Sequence, residues 1–190
     1  MGALDDGERI RAKDAAAWRA WLEANHATSQ GAWVLRARAG STVDLIGYDD
    51  IVRQALCFGW VDGTVKPSDE ETNGQWCSPR RPGSGWAATN KARIIELESA
   101  GEMTDAGRRV IEVAKSNGSW SLLDGPEAGT EPAELTTALD STPAARANWD
   151  AFPRSTKKLG LTQIAMAKRP ATRAARIAKI VADAAEGKRP

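Results

Sequence analysis

The chain has 190 residues, enough for one domain or for one domain with a helical extension. Hydrophobic residues make up 42% of it, which suffices for a core, and a charged fraction of 27% is ordinary for a soluble protein. The formal net charge of +1 argues against a uniformly basic nucleic-acid-binding protein.

Two helices and three short strands are predicted in the first part of the chain. Residues 14–25 carry an apolar stripe at helical spacing with Asp14 as the N-cap, and a second helix over 50–58 is capped by Asp49 or Asp50. Strands are predicted over 31–37, 60–66 and 75–80, with a polar turn over 67–74. This pattern indicates an α+β fold, with a small antiparallel sheet of about three strands packed with helices.

Beyond Trp86 the apolar pattern is helical almost to the end of the chain. Helices are predicted over 91–100 and from Thr104, as N-cap, to Asn117, and then over 133–139, 143–152, 155–168 and 171–186. Residues 122–132 contain glycine, proline and acids without periodicity, which is typical of a linker. We therefore expect an α+β domain over 1–121 and a mostly helical C-terminal region over 133–190, unless the two pack as one unit.

The location of the protein is predicted from its N-terminus and its cysteines. Residues 2–8 are polar and acidic, which argues against a secretory signal, and no apolar window is long enough to cross a bilayer. Cys57 and Cys77 are too few for a disulfide framework and indicate reduced thiols. We expect a cytoplasmic protein without membrane insertion.

The segment 55–93 combines three tryptophans with an arginine-rich turn. Tryptophan offers flat apolar contact, and arginine both stacks on aromatic rings and binds anions. The turn 83–85, Gly-Ser-Gly, precedes a predicted helix and resembles a weak phosphate-binding loop, although a flexible turn is the preferred interpretation. The predicted ligand-binding residues are Trp60, Asp62, Trp76, Arg80, Arg81, Ser84, Trp86, Asn90 and Lys91.

The C-terminal helices form a second candidate surface. Residues 154–190 contain ten Lys and Arg against two Asp and Glu, which leaves residues 1–153, with sixteen against twenty-three, at a net charge of about −7. The predicted basic face consists of Lys168, Arg169, Thr172, Arg173 and Arg176. It could contact phosphate groups, but a solvated face, or salt bridges to the acidic part of the chain, is the preferred alternative.

Few residues suggest catalysis or metal binding. The one histidine, His26, is predicted at the surface or at a helix end, and one histidine with two distant cysteines does not form an ordinary zinc site. Asp62 is expected to pair with Arg80 or Arg81, although it could also act as a catalytic carboxylate. The sequence predicts no catalytic residue, metal site or cofactor.

Four segments in order carry a family resemblance: ALCFGWVDG, SPRRPGSGWAATN, GEMTDAGRRVIEVAKSNGSW and AKRPATRAARI. Together they resemble the YdeI/OmpD-associated family of bacterial proteins, described as bacteriocin-protection, from about Trp33 to Val181. The resemblance implies a small α+β unit followed by a helical part, and an association with protection against antimicrobial peptides or envelope stress. It implies no catalytic mechanism.

The preferred hypothesis is a cytoplasmic, non-enzymatic binding protein for a planar or amphipathic ligand, such as an antibiotic or an antimicrobial peptide, that contributes to resistance or stress tolerance. The alternative is a single-stranded nucleic-acid-binding protein that uses tryptophan stacking and the basic helices. An enzymatic function, with Asp62 as acid or base beside the arginines, ranks third.

Overall fold

A computed structural model describes residues 7–190 of the chain. The strands are β1 (Glu8–Ile10), β2 (Ala32–Ala37), β3 (Trp60–Pro67) and β4 (Thr72–Pro79). The helices are α1 (Ala15–Asn25), α2 (Tyr48–Cys57), α3 (Ala88–Ser99), α4 (Asp105–Ser116), α5 (Asp124–Ala128), α6 (Ala133–Asp140), α7 (Pro143–Ala151), α8 (Arg154–Ala165) and α9 (Pro170–Ala185). The predicted α+β class and the helical C-terminal part are confirmed.

The sheet differs from the prediction in strand number and direction. It has four strands in the order β1-β2-β4-β3, and β1 runs parallel to β2 while the other neighbours are antiparallel. The prediction of about three antiparallel strands missed β1, because three residues are too short to show the alternation that identifies a strand. The result is a mixed sheet with β1 and β3 at its edges.

Two of the predicted helix caps are confirmed and one is wrong. Asp14 accepts a hydrogen bond from the Ala17 amide at 2.8 Å, and Thr104 accepts one from the Gly107 amide at 3.3 Å. Helix α2, however, begins two residues earlier than predicted, and its N-cap is Gly47, which makes no side-chain cap bond. Asp49 and Asp50 lie in the first turn of α2, where carboxylates interact favourably with the helix dipole without acting as caps.

The chain divides into two compact units, the first formed by residues up to Ser84 together with Thr89–Asn117. In this unit α2 packs against α1, α4 and β3. Two fully buried indoles anchor the packing: Trp18 donates to the Ile51 carbonyl at 3.2 Å, and Trp60 donates to the His26 carbonyl at 3.3 Å. His26 itself is the C-cap of α1, so its predicted place at a helix end is confirmed.

The second unit consists of Gly85–Ala88 and Gly118–Pro190. Its core is apolar and helical, with Trp149 fully buried among residues of α6, α7, α8 and α9: Leu135, Leu139, Ala145, Leu161, Ile164, Ile177, Ile180 and Ala184. The predicted linker over 122–132 contains the short helix α5, so it is more ordered than its composition suggested. The domain limits 1–121 and 133–190 stay a prediction.

Among residues 7–190, no helix is both long and apolar enough to span a membrane. The expectation that residues 2–8 do not form a secretory signal is not tested, because residues 2–6 of this stretch lie outside the described part of the chain.

Candidate ligand-binding site

Two tryptophans lie side by side on one face of the sheet in the first unit. Trp33 of β2 is the register partner of Trp76 of β4, and their ring centroids are 5.2 Å apart at an interplanar angle of 58°. Because side chains alternate between the two faces of a strand, Leu35 shares this face with Trp33. On the adjacent strands, Arg9 is the register partner of Trp33 and Lys66 is that of Gly74. The face therefore combines aromatic, aliphatic and cationic side chains.

Glycines provide the space in which both indoles lie. A Cβ atom at Gly74 would be 3.0 Å from Cε3 of Trp33, so the Trp33 ring lies over a position that has no side chain. Cβ atoms at Gly7 and Gly31 would lie 2.3 and 2.2 Å from the Trp76 ring. Glycine within a strand often marks such a close approach. The positions of the two rings thus depend on Gly74 within β4 and on Gly7 and Gly31, which directly precede β1 and β2.

Beside the Trp33 ring there is a cavity of about 190 Å³. The Lys66 ammonium lies over the ring, 5.5 Å from its centroid, which is within the range of a cation–π contact. The lining residues include Arg9, Trp33, Leu35, Lys66, Pro67 and Gly74. An indole floor with basic side chains at its rim can hold the ring of a planar ligand and attract negative charge.

The three tryptophans of the predicted ligand set occupy different environments. Trp76 belongs to the aromatic face just described and is 8% exposed. Trp60 is 1% exposed and packs edge-on against Trp18 and Trp21 on the helices, at centroid distances of 6.3 and 5.8 Å. Trp86 is also 1% exposed and belongs to the second unit, where its ring lies 5.1 Å from that of Trp120. None of the three lines the cavity; Trp76 reaches it only through its contact with the Trp33 ring.

Asp62 and Arg80 lie within electrostatic reach of each other in the first unit. The Asp62 carboxylate accepts a hydrogen bond from the Tyr48 hydroxyl at 2.8 Å. Burial lowers the pKa of Arg80 to about 10, and the charge of Asp62 opposes that shift. Burial, and then the bond to Asp62, raise the pKa of Tyr48. These contacts support the structural interpretation of Asp62.

The remaining members of the predicted set are spread along the turn and α3. Arg81 is exposed, and Ser84 is half-buried with its amide donating to the Arg81 carbonyl at 3.1 Å. Asn90 accepts a hydrogen bond from Arg93, which also pairs with Asp49, and Lys91 is half-buried on α3. The assignment of these residues to a ligand site stays a prediction. Among residues 7–190, no group of three or more His, Cys, Asp or Glu side chains could hold a metal ion.

The predicted basic face lies in the second unit, in and just before α9. Arg173 donates to the Ile164 carbonyl and pairs with Glu134 at 3.5 Å, and Arg176 donates to the Gln163 carbonyl. Lys168, Arg169 and Thr172 are exposed. Arg173 also lines a cavity of about 220 Å³ together with Pro126, Glu131 and Leu161. The two arginines thus join helices of their own unit, and phosphate contact stays a prediction.

Two separate segments of the chain match models of known protein families. Residues 10–110 match the family model described as "Domain of unknown function (DUF8412)". This segment is more than half of the 190 residues. The chain belongs to the DUF8412 family. Trp33, Lys66 and Gly74 lie within the segment that carries this membership.

Residues 129–187 match a second family model, described as "Bacteriocin-protection, YdeI or OmpD-Associated". The resemblance to that family is therefore confirmed, and the matched segment is confined to the helical part that follows the DUF8412 segment. Of the four segments that carried the resemblance, AKRPATRAARI lies within it, whereas ALCFGWVDG and SPRRPGSGWAATN lie within the DUF8412 match. No curated protein and no solved structure matched the chain.

None of the residues that line the cavity was predicted from the sequence to bind a ligand, including Trp33, Lys66 and Gly74. Trp33 and Lys66 were placed in predicted strands but not assigned to a site, and Gly74 was placed in a turn, although it lies within β4. One sequence signal could have identified Gly74. This glycine is followed by the alternating pattern Gln75-Trp76-Cys77, and a glycine within such a strand often marks the place where a neighbouring side chain lies close to the backbone.

Proposed function

We propose that this DUF8412 protein is a non-enzymatic binding protein that holds a planar ligand in the cavity beside Trp33. The observation that carries the proposal is the Trp33 indole lining a cavity of about 190 Å³ with the Lys66 ammonium at its rim. Drug-sized ligands fill cavities of roughly 300–1,000 Å³. The occupant is therefore a molecule of one or two rings, or the aromatic end of a larger molecule.

A contribution to antimicrobial resistance or stress tolerance is part of the same proposal. Its support is the description of the second family, which names bacteriocin protection for the segment matched by residues 129–187. Sequestration of a planar antibiotic in the Trp33 cavity would provide such protection without chemical modification of the antibiotic. A cationic antimicrobial peptide fits this cavity less well, because Arg9 and Lys66 would repel it. A cytoplasmic location belongs to the proposal, and the free, buried Cys57 and Cys77 are consistent with it.

The polar groups near Asp62 favour binding over catalysis, because they are hydrogen-bonded to each other and are not activated as bases or nucleophiles. The Asp62 carboxylate is engaged by Tyr48, and the tyrosine pKa is raised rather than lowered. A phenol with a raised pKa is a poorer base and nucleophile at neutral pH. The Cys77 thiol is also a poor nucleophile, because burial raises its pKa.

Replacement of Trp33 by leucine tests the proposed function. We expect a planar antibiotic or other aromatic compound to bind the wild-type protein saturably, and Trp33→Leu to weaken that binding about five-fold or more, since one aromatic stack contributes about 1–3 kcal/mol. Isothermal titration calorimetry at low and high salt, with a panel of aromatic antibiotics, a cationic peptide and a single-stranded oligonucleotide, measures this.

The matched control is Trp21→Leu, because Trp21 is a tryptophan of the same unit that stacks on Trp18 and lies outside the cavity. Circular dichroism establishes that both variants are folded at the temperature of the titration. Equal affinity of the wild-type and Trp33→Leu proteins for the bound compound would show that the site lies elsewhere.

Single-stranded nucleic-acid binding is the second candidate function. One observation favours it: an indole that lines a cavity on a sheet face, with cations beside it, resembles the arrangement on which nucleic-acid bases stack while their phosphates are neutralised, although Trp33 is only 7% exposed. The net charge of +1 weighs against it. In the same titrations, oligonucleotide binding that falls steeply with salt would support this function over small-molecule binding.

A further inference from the structure

The two cations at the cavity come from opposite edges of the sheet. Arg9 lies on β1 and Lys66 on β3, and the strands that carry Trp33 and Gly74 run between them. Both side chains are exposed, and both line the cavity. A ligand resting on Trp33 would therefore have a positive charge on each side.

In the part of the chain that the structure describes, no acidic side chain balances the charges of these two residues. Within residues 7–190, neither Arg9 nor Lys66 has a carboxylate within ion-pairing distance, and the cavity lining contains no acid. Other arginines of the unit are paired: Arg53 with Glu96 at 2.6 Å, Arg93 with Asp49 at 2.8 Å and Arg108 with Glu98 at 3.0 Å. Among the described residues, the cavity lining thus carries two positive charges and no acid.

We infer that the ligand of this cavity is a planar anion, with an aromatic ring against Trp33 and Leu35 and a carboxylate or phosphate group between Arg9 and Lys66. The inference rests on the proposed function and specifies its ligand class. Lys66 now lies over the indole, and a short movement of its flexible stem brings the ammonium to the anionic group while the ring takes its place. Two cations at the rim of a partly apolar cavity attract an anion more strongly than two cations in bulk water do.

A pair of probes with the same ring and different charge tests the inference on the full-length protein. The probes are 2-naphthoate and 2-naphthamide, with 2-naphthyl phosphate as a third arm that separates preference for a phosphate from preference for a carboxylate. Calorimetric titration at low salt is expected to show 2-naphthoate or 2-naphthyl phosphate binding about ten-fold or more tightly than 2-naphthamide. In Lys66→Met, which keeps an apolar stem, we expect this preference to fall to about three-fold or less.

Lys91→Met tests the competing predicted site on α3. Lys13→Met is the matched control, because it removes the same charge from the same unit at an exposed residue outside the cavity lining and outside the predicted ligand set. It is expected to keep the full preference for the anionic probes. Equal affinities for the anionic and neutral probes, both abolished by Trp33→Leu, would overturn the charge inference and leave the proposed planar-ligand function standing. Absence of binding by all three probes at millimolar concentration would overturn both. A preference that survives Lys66→Met and is lost in Lys91→Met would place the anion site on α3 and overturn the inference.

Discussion

Gly107→Ala is expected to destabilise the first unit by about 3 kcal/mol, the upper end of the usual cost of overpacking. Gly107 lies in α4, and a Cβ atom there would be 2.3 Å from the backbone carbonyl oxygen of Cys57 and 2.8 Å from Cε of Met103. The methionine end can move, but the carbonyl is fixed because it also accepts hydrogen bonds from the hydroxyl and the amide of Thr104, at 2.6 and 3.2 Å. The added methyl group therefore forces α2 and α4 apart.

Urea unfolding measures the loss in free energy of unfolding, and hydrogen exchange of the α2 and α4 amides measures where the structure opens. The control is Gly125→Ala, another helical glycine replaced by alanine, where a Cβ atom would meet nothing within 4 Å. This control is expected to be neutral or slightly stabilising, because alanine loses less backbone entropy on folding. An unchanged exchange rate at α2 and α4 in Gly107→Ala would mean that the two helices are not packed as closely as described.

The second large effect is expected at Glu131, which joins three other residues in the second unit. Its carboxylate accepts two hydrogen bonds from Arg146 at 2.9 Å, one from the Trp149 indole at 2.8 Å and one from the Thr136 hydroxyl at 3.3 Å. Trp149 is at the centre of the core of this unit, so the carboxylate fixes the orientation of a fully buried ring. We expect Glu131→Gln to destabilise the unit by about 2–3 kcal/mol, because it removes the charge from a partly buried, fully bonded pair.

The same carboxylate predicts a pH dependence of stability. The Arg146 hydrogen bonds, with smaller contributions from Trp149 and Thr136, lower the pKa of Glu131 from 4.5 to about 2. Because the folded-state pKa lies below the unfolded one, the stabilisation is fully present above about pH 4.5 and is lost as the pH falls toward 2. The difference in free energy of unfolding between wild type and Glu131→Gln should therefore shrink between pH 5 and pH 2.

Glu134→Gln is the control for both experiments on Glu131. Glu134 makes a single ion pair with Arg173, at 3.5 Å, and its side chain is 62% exposed. An exposed pair contributes little, so we expect a change below about 0.5 kcal/mol at neutral pH. Equal destabilisation by the two substitutions would contradict the central role assigned to Glu131.

Helices were predictable from this sequence because their signals are local. Asp14 and Thr104 each stand directly before an apolar periodic run, and both are caps in the structure. Strand β1 was not predictable, since its three residues are ordered by pairing with β2 more than twenty positions away. The start of α2 was predicted wrongly because aspartates are common both at N-caps and in the first helical turn. The extended backbone at Gly47 makes that residue the N-cap and places both aspartates inside the helix.

The cavity was harder to predict than the helices. Trp33 and Gly74 are forty-one positions apart, and only the register of β2 against β4 places the indole over the glycine. A shift of one residue would move Trp33 to the opposite face, and no local pattern fixes that register. Composition drew attention instead to Trp60, Trp76 and Trp86, which do not line the cavity. Trp33, at 7% exposed, is no more exposed than Trp76 at 8%. The tryptophan content of a segment shows where large apolar groups are, but which of them lines a cavity depends on long-range packing.

A ligand site at Trp33 can be located by the indole N–H signals of the eight tryptophans in a ¹H–¹⁵N spectrum. Each signal is assigned by a single Trp→Phe variant, and the protein is titrated with 2-naphthoate. We expect saturable shifts of Trp33 and of Trp76, 5.2 Å away, while Trp60 and Trp86 stay unchanged. Shifts centred on Trp60 or Trp86 with Trp33 unmoved would contradict a ligand site at Trp33.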